Sequence, residues 1–233
     1  MERGDERRTG ADGEGLELVA GLVGEPALPA RLPTEPEGRL TEERRGLIRQ
    51  LNPLGRLWLR LVARFHEYAS KLVPHTLNLS WITDQLAVGG SFGKQDIPRL
   101  AALGITHVVD CRAESQDDAA ALGRHGIVLQ LFPIKDKHAH SQEQLDRGSQ
   151  WILARLNEGA RVFVHCEHGV GRGPLLALAT LVRQGYPVPE ALRLVRQKRW
   201  QVAPNDRQLE ALLCFEQRLR QTAPSELPGR PDV

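Results

Sequence analysis

Between residues 77 and 220, short apolar runs alternate with longer stretches whose apolar positions recur three or four apart. LNLSWI, LAVGG, THVVDC, IVLQLF and ARVFVHC are four to eight residues long and rich in β-branched and aromatic side chains, so they read as strands. The segments 97–103, 115–123, 141–157, 174–184, 189–199 and 205–220 read as helices. Three helix starts carry a side-chain acceptor followed three residues later by an acid or amide: Ser115 with Asp118, Ser141 with Gln144, and Asn205 with Gln208. Such pairs satisfy backbone N–H groups that the first helical turn leaves open. The alternation predicts an α/β fold, a central mainly parallel sheet flanked by helices on both faces.

Upstream, the pattern changes. Residues 41–74 predict an added helical extension, in which Leu54, Leu57, Trp58, Leu61, Phe65, Tyr68 and Leu72 share one side and Arg56, Arg60, Arg64 and Lys71 the other. A basic amphipathic helix over 54–73 suits an anionic membrane surface or a partner protein. It equally suits packing on the main domain, the expectation favoured here, because any surface helix is amphipathic. Residues 1–40 and 222–233 have no period and many Gly, Pro and charged residues, and read as disordered tails around a main domain at 75–221.

Charge narrows the partners. Lys and Arg number 31 against 29 Asp and Glu, a formal net charge of +2, which gives no reason to expect nucleic acid. Cys111, Cys166 and Cys214 have neither the spacing of a disulfide framework nor that of a zinc site. They read as thiols of a reducing compartment, and with a charged N-terminus and no membrane-length apolar run the expectation is a cytoplasmic protein needing no cofactor or metal.

The chemistry concentrates in RVFVHCEHGVGRGPLLALA, residues 161–179, where a strand enters a glycine-rich turn and then a helix. Gly169, Gly171 and Gly173 allow backbone angles that aim N–H groups inward, and the helix start adds its positive end, so the turn is a cradle for an anion. Cys166 and Arg172 lie six positions apart at its two ends. Converging amides and a guanidinium favour a thiolate nucleophile, and the planar fork of arginine can hold two phosphate oxygens at once. Gly171-Arg172-Gly173 lacks the Lys-Ser/Thr of a nucleotide-binding loop, and Pro174 stands where a dinucleotide fingerprint needs Gly or Ala. Asp136, in a loop after a buried strand, lies on the same sheet edge and can serve as proton donor to a leaving oxygen, with Asp110 and Asp146 as alternates. His138 and His140 read as surface histidines, and Cys111, which like Cys166 ends a strand, is a minor candidate to pair with it under oxidation.

His165-Cys166-x-x-Gly169-x-Gly171-Arg172 resembles the HCxxGxGR signature of the protein tyrosine and dual-specificity phosphatases. The likeness extends over 77–220 through WITDQLAVGG, VVDCR, FPIKD and KRWQVAPND. It implies a phosphatase domain at 75–221 that works through a phosphocysteine on Cys166, with Arg172 on the phosphate and Asp136 as general acid. It further implies that Glu167, His168, Gly169, Val170 and Gly171 line the substrate loop and that His165 supports it. Gly173 departs from the usual Ser or Thr, as in the similar Arg-Ala-Pro of plant starch phosphatases. The loop lacks the lysines of phosphoinositide phosphatases, and no aromatic wall deepens the pocket for phosphotyrosine alone. The implied substrates are therefore phosphotyrosine, phosphoserine and phosphothreonine on proteins. A catalytically silent phosphate-binding scaffold and a lipid or glucan phosphatase are the alternatives.

Overall fold

A computed structural model of the chain describes residues 42–52, 61 and 77–222. The tail at 1–40 lies outside the described residues, as does the tail at 222–233 apart from Thr222, which ends the last helix. The amphipathic stretch 54–73 also lies outside them except for Leu61.

Five strands form one sheet: β1 Leu79–Trp81, β2 Leu86–Gly89, β3 His107–Arg112, β4 Val128–Ile134 and β5 Val162–His165. Their order is β1-β2-β5-β3-β4, with β1 antiparallel to β2 and every other pair parallel. The mainly parallel sheet predicted from alternation is thus present. Its central strand β5 is buried throughout, which explains why VFVH shows no polar alternation.

Seven α-helices occur among the described residues: α1 Glu42–Leu51, α2 Ile97–Ala102, α3 Ala119–Gly123, α4 Gln142–Asn157, α5 Arg172–Arg183, α6 Val188–Lys198 and α7 Asp206–Thr222. The two-residue period of the strands divides the core. Ala87, Val108 and Phe163 face α2 and α3, whereas Val88, Val109 and Val164 face the larger layer of α4 to α7. Within that layer α5 is the central helix; Leu175, Leu176, Leu178 and Leu181 are completely buried, each contributing roughly 2 kcal/mol of apolar transfer.

Capping was legible at two starts and misread at one. Ser141 with Gln144 and Asn205 with Gln208 form reciprocal pairs. Ser115 caps nothing: the helix begins at Ala119 under Asp118, whose carboxylate accepts from Ala121 N at 2.9 Å. Asp117, between the two, is drawn instead into an ionic contact with Arg112, and Glu114, just before Ser115, into one with Arg172. The first part of the N-terminal extension packs on the main domain, since Ile48 of α1 is buried in the larger core and Arg196 Nη1 donates to Leu51 O at 2.9 Å. Among the described residues no helix is long and apolar enough to cross a membrane.

Candidate active site

At the end of β5 the chain leaves the sheet through residues 166–171 and re-enters regular structure at Arg172, the first residue of α5. The turn is fixed from behind by Arg199, which is 2% exposed. Its guanidinium donates from Nε to Gly169 O at 2.8 Å, from Nη2 to His168 O at 3.0 Å and to Asn78 Oδ1 at 2.8 Å, and from Nη1 to Ser80 Oγ at 3.3 Å. A trans peptide sets its N–H opposite its C=O, so holding these two carbonyls turns the N–H groups of Gly169 and Val170 away from Arg199. Desolvation lowers the pKa of Arg199 to about 10, and the charge of Cys166 acts in the opposite sense. Gly169 has φ +65°, and a Cβ there would lie 2.3 Å from the Gly89 backbone and 2.5 Å from Arg199 Nη2, so only glycine fits.

Cys166 and Arg172 are each 3% exposed, at opposite ends of this turn. The Arg172 fork is held by a residue that the sequence did not single out: Nη1 and Nη2 each donate to one oxygen of Glu114 at 2.7 Å. Nη1 also donates to Ile134 O at 3.1 Å, and Nη2 lies 3.5 Å from Asp136 Oδ1. Burial opposes the charge of Arg172, but the Glu114 bond and the nearby Cys166 and Asp136 outweigh it and raise its pKa. The same bond lowers Glu114 to about 2, so this carboxylate stays ionised. A pocket of about 370 Å³ opens here, lined by Glu114, Lys135, Asp136, Glu167, His168 and Arg172.

Asp136 sits in a turn closed by His138 N donating to Lys135 O at 3.1 Å, with Lys137 in the left-handed region at φ 63°. The turn is anchored to the start of α7, where Asn205 Nδ2 donates to Lys137 O and Gln208 Nε2 to His138 O, both at 2.9 Å. One capping pair therefore both starts a helix and holds the turn that carries Asp136. Of the alternates, Asp110 is fully buried against Arg112, and Asp146 lies within α4 paired to Arg183. Asp136, with its side chain 64% exposed, lines the pocket, as neither alternate does.

His165 faces the side of the sheet opposite Cys166, stacked on Phe163 and edge-on to Phe92. Its Nε2 lies 2.7 Å from Asp117 Oδ2. Asp117 and Asp110 both bind Arg112, whose Nη1 reaches Glu167 Oε2 at 3.4 Å. Arg112, Glu114, Asp117 and Arg199 were all missed in the sequence because a charged residue near the end of a strand or helix reads as solvated. Only the packing shows that three of them are buried or nearly so.

His138 is exposed as expected, but His140 corrects the expectation of a surface histidine. It is 2% exposed, and among the described residues neither ring nitrogen has a hydrogen-bond partner. Burial, and then the charge of Arg172, lower its pKa from 6.5 to about 4. A depressed histidine binds fewer protons folded than unfolded between these values, so its contribution is complete above pH 6.5 and is lost as pH falls through about 4. Urea unfolding from pH 7 to pH 4 should show roughly 3 kcal/mol more acid destabilisation in the wild type than in His140→Phe. Equal acid sensitivity of the two proteins would remove His140 from the account.

Cys111 and Cys166 follow the paired residues Asp110 and His165 on adjacent parallel strands and share the larger core. Burial, followed by the charges of Cys166 and Asp110, pushes the Cys111 thiol well up. Cys111 is thus a protonated neighbour of Cys166.

Residues 90–218, more than half of the chain, match the family described as dual specificity phosphatase, catalytic domain. The chain is 29% identical over 149 residues to dual specificity protein phosphatase 5 of Rattus norvegicus, covering 61% of this chain and 37% of that protein. It is 27% identical over 150 residues to dual specificity protein phosphatase 1-A of Xenopus laevis, covering 64% and 40%. The match thus spans about two fifths of these relatives' length. Among solved structures, Tk-PTP in its active form is 28% identical with a TM-score of 0.57, covering 60% of this chain and 97% of that one. PTPMT1 in complex with PI(5)P is 18% identical with a TM-score of 0.59, covering 62% and 97%, a likeness of fold alone.

Proposed function

Because this chain belongs to the dual specificity phosphatase catalytic-domain family, we propose that it hydrolyses phosphate monoesters on proteins through a phosphocysteine at Cys166. The observation that carries this reading is the convergence of Arg172 and Asp136, 3.5 Å apart, on one pocket at the mouth of the Cys166 turn. Glu114 grips the Nη1–Nη2 edge of Arg172, leaving the Nε–Nη2 edge to take two oxygens of a phosphoryl group.

In the first step the Cys166 thiolate attacks phosphorus, the ester P–O bond breaks, and protonated Asp136 gives its proton to the departing oxygen. In the second, Asp136 takes a proton from water as that water attacks phosphorus. The P–S bond then breaks, releasing inorganic phosphate and the thiolate. Through both steps the loop amides and Arg172 stabilise charge on the transferring group. Among the described residues the pocket is lined by charged, polar and small side chains without an aromatic wall, which favours phosphoserine and phosphothreonine alongside phosphotyrosine on protein substrates. A silent phosphate-binding scaffold has no use for a carboxylate held over the cradle.

Asp136→Asn tests the reading against a panel of substrates. Turnover of a phosphoserine peptide, whose leaving group is a poor alkoxide, should fall about 10²- to 10⁴-fold, whereas an aryl phosphate with an acidic phenol should lose far less. A uniform loss would argue that Asp136 positions substrate rather than donating a proton.

Gly173 raises the question of phosphoenzyme breakdown. A Cβ at this position would lie 3.0 Å from the His165 carbonyl carbon and 3.2 Å from Cys166 N, so a serine requires β5 to yield by a few tenths of an ångström. Its hydroxyl would then lie close enough to Cys166 to assist the thiolate in leaving. Gly173→Ser should therefore raise the steady-state rate after a product burst. An unchanged slow phase in both proteins would show that breakdown is not limited there.

A further inference from the structure

We propose that Glu167 makes the pocket selective for phosphate esters that carry a positive charge beside the phosphoryl group, a phosphopeptide with Lys or Arg next to the phosphorylated residue being the class that fits. This rests on the phosphatase reading and adds the chemistry of the flanking group.

Glu167 directly follows the nucleophile, and its position is built. Its carbonyl accepts from Ser91 N at 2.9 Å and Ser91 Oγ at 3.2 Å, so the backbone cannot swing the side chain away from the pocket it lines. The side chain is 44% exposed, and among the described residues the cation paired with it is Arg112, at the long distance of 3.4 Å. Arg112 is already engaged. Its Nε and Nη2 bind Asp110 at 3.0 and 2.9 Å, and Nη2 binds Asp117 at 2.6 Å. One guanidinium thus faces two nearer carboxylates and has little charge left for the third.

The other charges lining the pocket are Glu114, Arg172, Asp136 and Lys135. Glu114 is paired with Arg172, and Arg172 holds the phosphoryl group in the proposed reaction. Lys135 lies on the acid loop beside Asp136. Apart from the paired Glu114 and the proposed acid Asp136, Glu167 is the carboxylate that lines the pocket, next to Cys166, able to attract a substrate cation and to repel an acidic flank.

The test uses two phosphotyrosine peptides that differ only in having Arg or Glu on both sides of the phosphotyrosine. Their affinities are measured on the full chain carrying Cys166→Ser, so that charge preference is read without turnover. The Arg peptide should bind about fivefold more tightly, and adding Glu167→Lys should invert the preference. The ratio should shrink in high salt, because a mouth charge is screened. An unchanged ratio in the Glu167→Lys protein overturns the proposal, as does a ratio that follows Lys135→Gln instead. Turnover of an aryl phosphate by the wild-type chain reports separately on the phosphatase reading, so failure of one is not mistaken for failure of the other.

Discussion

Cys166→Ser is expected to lower aryl phosphate turnover by at least about 10⁴-fold while leaving phosphopeptide binding within a few-fold of wild type. A serine hydroxyl remains protonated beside the same amides and guanidinium, so the attacking electron pair is lost. The groups proposed to hold the phosphate do not depend on sulfur: they are the turn backed by Arg199 and the fork of Arg172. Because Cys166 is 3% exposed and serine is slightly smaller and more polar, a stability change of about 1 kcal/mol should accompany the loss of rate. Rate, binding and thermal unfolding measured on one preparation separate these effects. Turnover surviving within tenfold would mean that another nucleophile carries the reaction.

Arg172→Lys should be the second most damaging change, lowering kcat/KM by about 10³-fold. A lysine preserves the charge but cannot bind Glu114 through two parallel bonds and also present an edge to a phosphoryl group. Wild-type Arg172 does the first with both distances at 2.7 Å while donating to Ile134 O. Glu114→Gln removes the carboxylate but not the fork, so its effect should be smaller, about tenfold, and expressed mainly in KM. If Glu114 acts only by aiming Arg172, the double variant should be no worse than Arg172→Lys alone, a non-additivity that a double-mutant cycle reads directly. Retention of kcat/KM within threefold by Arg172→Lys would show that the guanidinium does not grip the transferring group.

The parts of the site that could be read from the sequence are those whose chemistry is local. A tight turn between Cys166 and Arg172 needs glycine at a fixed offset from both, and Gly169 meets that need with its φ of +65° and the backbone packed against it. The Ser141 and Asn205 capping pairs were equally legible, since both partners lie within one helical turn. The Ser115 start failed because distant charges claimed the neighbouring residues. His140 failed for a related reason: its burial depends on elements that close over it, which no spacing within the loop records.

The sequence by itself determined the order of strands and helices along the chain, the mainly parallel sheet, and the glycine-rich turn between Cys166 and Arg172, because periodicity and turn chemistry are properties of neighbours along the chain. Tertiary structure alone decided what surrounds them. Glu114 reaches Arg172 across 58 residues and Arg199 reaches the turn across 30 and 31, while Gln208 holds the Asp136 turn at His138 across 70. Partners so far apart are chosen by how β3, β5 and the start of α7 pack side by side, where a buried charge must find a counter-charge or a carbonyl to remain in the fold.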